Sequence, residues 1–259
     1  MAILGENWQP TNEGVYPKRI LILGPAGSGK TTAAAVIAPG MVRDPEQLIV
    51  VGPKPDLAVK LNRPWNNVSP YDMKAMQNFF SKLYESPAHV FVVVDDFDLY
   101  SNARSYNVPA LHELVRIGRG YGKGFMGIAD GSSSIPKSLI ANADLVIIYR
   151  TTEPNLLDYA EDYMDDFPGG PKEARYAISN LPPYEAIVWM PGETPKAKGI
   201  LKVVNGQLYL VPWDEETKSP DASEPEGTAP EPASDATSSS PPGPGAPTAA
   251  GATQNTAAK

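Results

Sequence analysis

The chain has 259 residues, with 22 Lys and Arg against 30 Asp and Glu, 28 Pro and no Cys, a length that accommodates one α/β domain with extensions. The lack of cysteine excludes disulfides, cysteine nucleophiles and thiolate zinc sites, and with His89 and His112 as the two histidines any metal is expected to be held by oxygen. The acidic balance argues against a broad nucleic-acid-coating surface, although a few Lys and Arg focused in a pore would still hold phosphates.

Residues 1–7 show no basic region leading into an apolar one, and no window approaches the ~18 continuous apolar residues that span a bilayer. The expectation is a soluble, intracellular protein without a transmembrane segment. Ile20-Leu21-Ile22-Leu23 is a buried-strand run broken at Gly24, Thr31 to Ile37 reads as a helix stopped by Pro39-Gly40, and Leu48 to Val51 is a second strand ended by Gly52-Pro53. Met73, Met76, Phe80 and Leu83 fall at helical spacing between Ser69 and Tyr84, with Ser69 as the expected N-cap and Pro70 in the first turn. His89 to Val94 is a strongly apolar strand running into Asp95-Asp96. Val108 to Ile117 reads as a helix, and Gly124 to Ala129 and Asp144 to Tyr149 as strands. Continuous rather than alternating apolar runs predict strands covered on both faces, hence an α/β fold with a mostly parallel sheet between helices. Glu185 to Met190, Gly199 to Val204 and Gln207 to Val211 are expected to extend it antiparallel, with Asn205-Gly206 as a hairpin turn. From Ser219 to Lys259 there are eight prolines and no Leu, Ile, Val, Met or aromatic residue. A segment of that composition builds no core. The expected organisation is a domain over 1–214 and a disordered Pro/Ala/Ser-rich acidic tail over 215–259.

Gly24-Pro25-Ala26-Gly27-Ser28-Gly29-Lys30-Thr31 matches G-x-x-x-x-G-K-[ST] at every fixed position and lies between a strand and a helix. Glycines let successive backbone N–H groups turn inward around a phosphate, and the helix beginning there adds its positive end. Lys30 would reach the outer phosphate oxygens and the Thr31 hydroxyl would ligate Mg²⁺, with Thr32 beside it. The expected ligands are therefore ATP and Mg²⁺, and the expected fold is that of a P-loop NTPase. Phe91 to Val94 delivers Asp95-Asp96 to a strand end, where ligands bind in open α/β sheets. Asp95 is expected in the Mg²⁺ shell and Asp96 as the group that orients or deprotonates the attacking water, with Asp98 in reserve.

The stretch Leu111-His112-Glu113-Leu114-Val115-Arg116-Ile117-Gly118-Arg119-Gly120-Tyr121-Gly122, then Ile135-Pro136-Lys137-Ser138-Leu139-Ile140-Ala141-Asn142-Ala143-Asp144 and Val50-Val51-Gly52-Pro53-Lys54, resembles the FtsK–HerA superfamily of DNA-pumping ATPases. Within it the resemblance points to the genome-packaging ATPases of tailless icosahedral double-stranded-DNA viruses with an internal membrane. It covers roughly residues 18–165. Many relatives have Asp where this chain has Gly52, and a γ-phosphate-sensing Gln where it has Asp130, so either a serine of Ser132-Ser133-Ser134 senses instead or coupling differs. The resemblance implies a ring oligomer that translocates double-stranded DNA into a preformed capsid, in the host cytoplasm or at the virion's packaging vertex, with capsid-vertex or membrane-associated viral proteins as further partners.

For the arginine acting on a neighbour's site, resemblance and chemistry point to Arg119 between two glycines, with Arg116 as the alternate; Arg150 is a third candidate, better read as an ion-pair partner. DNA contacts are expected from Arg104, Tyr106 and Lys123 in loops, whereas Tyr159, Tyr163 and Phe167 are expected to pack. Three rival functions stand beside packaging: a plasmid or chromosomal HerA-type pump, a nucleotide-gated assembly protein with slow hydrolysis, and a small-molecule kinase.

Overall fold

The computed structural model describes residues 8–102, 104–131, 135–165, 167, 169–191, 199–204 and 207–212. The serines at 132–134, the Asn205-Gly206 turn and the tail over 215–259 lie outside the described residues.

Five short apolar runs form the parallel part of one sheet: β1 (Arg19–Leu23), β2 (Leu48–Val51), β4 (Val90–Val94), β5 (Lys123–Ala129) and β6 (Leu145–Tyr149), joined at the edge by the two-residue β3 (Trp65–Asn66). β7 (Ala186–Trp189), β8 (Gly199–Val204) and β9 (Gln207–Pro212) continue it antiparallel from β6. Among the described residues the sheet has nine strands in the order β3-β2-β4-β5-β1-β6-β7-β8-β9. β1, β4, β5 and β6 are buried along their whole length, because successive side chains enter opposite layers. From β1, Ile20 and Ile22 face the layer of α1 (Lys30–Ile37) and α2 (Asp56–Leu61). Leu21 and Leu23 face the layer built by α3 (Met73–Glu85), α4 (Pro109–Arg116), α5 (Lys137–Ala141), α6 (Pro154–Tyr163) and α7 (Pro171–Asn180). Tyr159 and Phe167 are buried in that second layer and Tyr163 packs against it.

The N-cap of α3 is Asp72 rather than Ser69. The Asp72 carboxylate accepts the Ala75 N–H at 2.9 Å, while Ser69 closes the preceding turn, its carbonyl accepting the Asp72 N–H and its hydroxyl the Tyr71 N–H. Two capping-type residues three positions apart compete for the same helix, and Pro70 in the turn between them lets the later one win. Met73 is consequently half exposed, while Met76 and Phe80 carry the buried face.

This topology places the carboxyl ends of β1, β5 and β4 side by side. Leu23 stands opposite Ala129, and Val94 opposite Gly127. The segments beginning at Gly24, Asp130 and Asp95 therefore leave the sheet at one edge. Lys18, Arg116, Arg119 and Asp144 gather at the other edge, where the parallel strands begin. No helix among the described residues is long and apolar enough to cross a membrane.

Candidate active site

The turn after β1 is shaped by close approach. Gly24 has φ 146°, and a Cβ there would lie 2.6 Å from the Tyr149 Cβ; Gly29, with φ 109°, caps α1 over the same Tyr149 ring. Both positions require glycine, one for space and one for left-handed backbone. Within this loop the Ser28 hydroxyl is buried, and among the described residues nothing bonds it. A buried hydroxyl without a partner, a helix N-terminus and a lysine at its first position fit a phosphate chain.

Lys30 is buried, and its ammonium is directed back into the loop. It donates to the Gly24 carbonyl at 2.7 Å, the Pro25 carbonyl at 2.9 Å and the Asp130 carboxylate at 2.7 Å. Thr31 is half-buried on α1, and the Thr32 hydroxyl accepts from Lys60 at 3.4 Å.

Asp95 follows β4 with its N–H on the Val51 carbonyl and its carboxylate accepting the Asp96 N–H at 3.2 Å. Burial first, and the Asp96 charge second, raise the Asp95 carboxyl to about 6. Asp96 adopts a left-handed backbone, φ 49°, unusual for a residue with a side chain, and pairs with Lys54 at 3.1 Å, which in turn raises the Lys54 ammonium. Burial likewise raises the Asp98 carboxyl. Two lysine–carboxylate pairs, Lys30–Asp130 and Lys54–Asp96, thus stand beside the Asp95 carboxyl. A hydroxyl and a carboxylate are hard oxygen donors, and Thr31 and Asp95 would be the residues to hold a divalent cation there. A Cβ on Gly52 would stand 3.1 Å from that of Asp95, so glycine at 52 leaves the Asp95 side chain its space.

The basic candidates separate. Arg119 sits in a short 3₁₀ turn, Gly118–Tyr121, and is ion-paired with Asp144, which also receives Lys18 at 3.4 Å and the Arg19 N–H at 2.8 Å. Arg19 is nine-tenths buried, and its guanidinium caps α4 by donating to the Val115 and Arg116 carbonyls. The Arg116 side chain is exposed and lines a cavity of about 330 Å³ with Tyr106, Ser138 and Asn142; among the described residues no carboxylate pairs with it. Arg150 is exposed, and among the described residues no carboxylate pairs with it. Lys123 is not a loop cation. It is the first residue of β5, 3% exposed, and its ammonium donates to the Ser86 and Ala88 carbonyls. Tyr106 stacks on His112 with ring centres 5.3 Å apart and packs edge-on against Phe97. Of the three expected DNA contacts, Arg104 alone is exposed, in a turn where its N–H binds Asn102.

The same fold is found in solved structures. The genome-packaging NTPase B204 of Sulfolobus turreted icosahedral virus 2 in complex with AMPPCP superposes with a TM-score of 0.53 at 18% identity, over 71% of this chain and 96% of that one. Its ATP-gammaS complex gives 0.53 at 17%, over 71% and 95%. B204, the DNA-packaging ATPase of Sulfolobus turreted icosahedral virus, gives 0.52 at 16%, over 71% and 96%. The fold is that of a P-loop NTPase. No family model matches the chain, and no curated protein matches it.

Sequence reasoning marked the phosphate loop, Asp95, Asp96 and Asp130. It missed Lys54, whose reach to Asp96 follows from β2 lying beside β4. A lysine three residues past the end of a strand adjacent to β4 was the available signal.

Proposed function

We propose that this chain is an ATP-hydrolysing double-stranded-DNA translocase of the FtsK–HerA superfamily that packages a viral genome into a preformed capsid as a ring oligomer. The observation that carries the reading is the complete phosphate loop joining β1 to α1 beside a strand that ends in Asp95-Asp96. The shared fold with B204, described as a DNA-packaging ATPase, supports it.

The phosphate-loop N–H groups and Lys30 bind the phosphate chain of ATP, and the Ser28 hydroxyl supplies a further donor. Thr31 and Asp95 would hold Mg²⁺, which when bound would supply Lewis-acid polarisation of phosphoryl oxygens. Asp96 orients the attacking water and takes its proton, its carboxylate held in place by Lys54. Arg116 and Arg119 lie at the amino ends of the parallel strands, opposite their own phosphate loop, so either acts only on a neighbouring subunit. Asp144 occupies Arg119, and Arg116 therefore takes the trans role. The expectation is that Arg116→Ala lowers turnover of the assembled protein at least about 100-fold without moving the thermal midpoint, while Arg119→Ala lowers the midpoint. Mixing Arg116→Ala with Lys30→Ala subunits should restore part of the activity; mixtures as inactive as their components would reject a trans role.

Arg104 and other exposed cations would meet the DNA phosphates. The domain is taken as 1–214, with 215–259 as a spacer or tether. The protein would act in the host cytoplasm, engaging capsid-vertex or membrane-associated viral proteins. A second reading, a nucleotide-gated assembly protein with slow hydrolysis, is favoured by the pairing of Lys30 with Asp130 and of Asp96 with Lys54.

The test is phosphate release from ATP and Mg²⁺ with and without duplex DNA, with Lys30→Ala as the blank. DNA-stimulated release absent from the variant is expected. Binding of ATP with release at the blank's level would favour the gated assembly protein.

A further inference from the structure

We propose that the Asp130 carboxylate is a built-in competitor for the phosphate position on Lys30, a specificity-determining residue that sets how strongly a nucleotide must bind to enter the site. The inference rests on the nucleotide reading above and adds to it the residue that tunes affinity.

An ammonium has three N–H donors and accepts nothing. Lys30 directs them to the Gly24 carbonyl at 2.7 Å, the Pro25 carbonyl at 2.9 Å and Asp130 Oδ1 at 2.7 Å. The first two acceptors are backbone of the phosphate loop and stay where the loop stays. The third belongs to a side chain that is 56% exposed and has room to rotate. A phosphate oxygen that reaches Lys30 must take the place of Asp130. It carries the same sign of charge, so the two cannot share the ammonium closely without repulsion.

The backbone under Asp130 is fixed even though its carboxylate is exposed. Asp130 directly follows β5, which runs between β1 and β4 and pairs with β1 up to Ala129. Rotation of the side chain, with the backbone staying at the end of β5, is therefore the direct route by which Lys30 is released. The surroundings make the competition effective. Lys54 is committed to Asp96 at 3.1 Å, and Asp95 and Asp98 add negative charge at the same strand ends, so a polyanion enters a site whose own carboxylates oppose it. Removing the charge at 130 frees Lys30 and weakens that opposition together.

The test is calorimetric titration of the full chain with AMPPCP, in Mg²⁺ and again in EDTA, for the parent, Asp130→Asn, Asp130→Ala and Lys30→Ala, each checked for an unchanged thermal midpoint. Both Asp130 variants are expected to bind about tenfold more tightly than the parent in either condition, with no measurable binding by Lys30→Ala. Two variants are used because Asn keeps the shape and a hydrogen-bond acceptor whereas Ala removes both. Equal or weaker binding by the Asp130 variants would overturn the competitor while leaving the nucleotide site standing. A loss confined to Mg²⁺ would overturn it as well, making Asp130 an acceptor on the metal side. Failure of every protein, parent included, to bind AMPPCP would overturn the nucleotide reading and the competitor with it.

Discussion

Asp95→Asn is expected to stabilise the metal-free protein and silence its turnover. The Asp95 carboxyl is raised to about 6, by burial first and by the neighbouring Asp96 charge second, against the smaller opposing effects of the Asp96 N–H, Lys54 and Lys30. A carboxyl whose folded value lies above its unfolded one binds its proton more tightly when folded. Its contribution to stability is complete below about pH 4 and is lost as the pH rises through 6. At pH 7 and without a divalent cation, the ionised group costs up to roughly 3 kcal/mol, and asparagine of nearly the same shape avoids that cost. Thermal unfolding in EDTA should give the variant a midpoint several degrees above the parent at pH 7 to 8, the gap closing as the pH falls towards 4. A gap that ignores pH would place the effect somewhere other than ionisation. In Mg²⁺ the same variant loses a charged ligand worth several kcal/mol of transition-state stabilisation, and phosphate release should fall at least about 100-fold. Opposite signs for stability and turnover distinguish a carboxylate kept for chemistry from one kept for folding.

Much of the fold was legible because strand runs such as Ile20 to Leu23 and Phe91 to Val94 are apolar at every position, a pattern that requires cover on both faces. The phosphate loop was legible because its function needs particular residues at fixed spacing along the chain. Elements α2, β3 and α5 were not, since six, two and five residues offer too few turns or alternations for a period to register. The long-range pairs were invisible for another reason. Arg119 meets Asp144, Lys54 meets Asp96 and Lys123 meets the Ser86 and Ala88 carbonyls only because strand order brings distant segments together. A lysine set between Gly122 and Gly124 reads as a loop cation, yet Lys123 opens a buried strand and satisfies the carbonyls of the turn before β4. Asp130 is the intermediate case. Its departure from the expected glutamine was visible in sequence, but its partner emerged only once β5 was seen to lie next to β1.

Gly124→Ala is expected to be among the most destabilising single-methyl additions in the chain. Gly124 stands opposite Phe91 in the β4–β5 pairing, and a Cβ there would overlap the Phe91 ring and lie 2.6 Å from the Tyr16 carbonyl oxygen. Neither neighbour yields readily. Phe91 is fully buried among Ile20, Ile22 and Met126, and the Tyr16 N–H is tied to the Met41 carbonyl at 2.9 Å. Overpacking against an immobile ring and a backbone oxygen costs about 3 kcal/mol, more than alanine regains over glycine in strand propensity. Denaturant unfolding should show a lower midpoint with an unchanged slope. Gly120→Ala is the matched control, since a Cβ there meets nothing within 4 Å, and it should stay within about 0.5 kcal/mol of the parent. The consequence extends to the active site because β4 and β5 carry Asp95 and Asp130 from this same pairing. A Gly124→Ala protein that still folds would have to part β4 from β5 near Phe91, moving Asp130 relative to Lys30, so its nucleotide affinity should change as well. Stability equal to that of Gly120→Ala, with parental affinity, would show that the Phe91 ring has another place to go and that this tight seam does not set the spacing of the strand-end carboxylates.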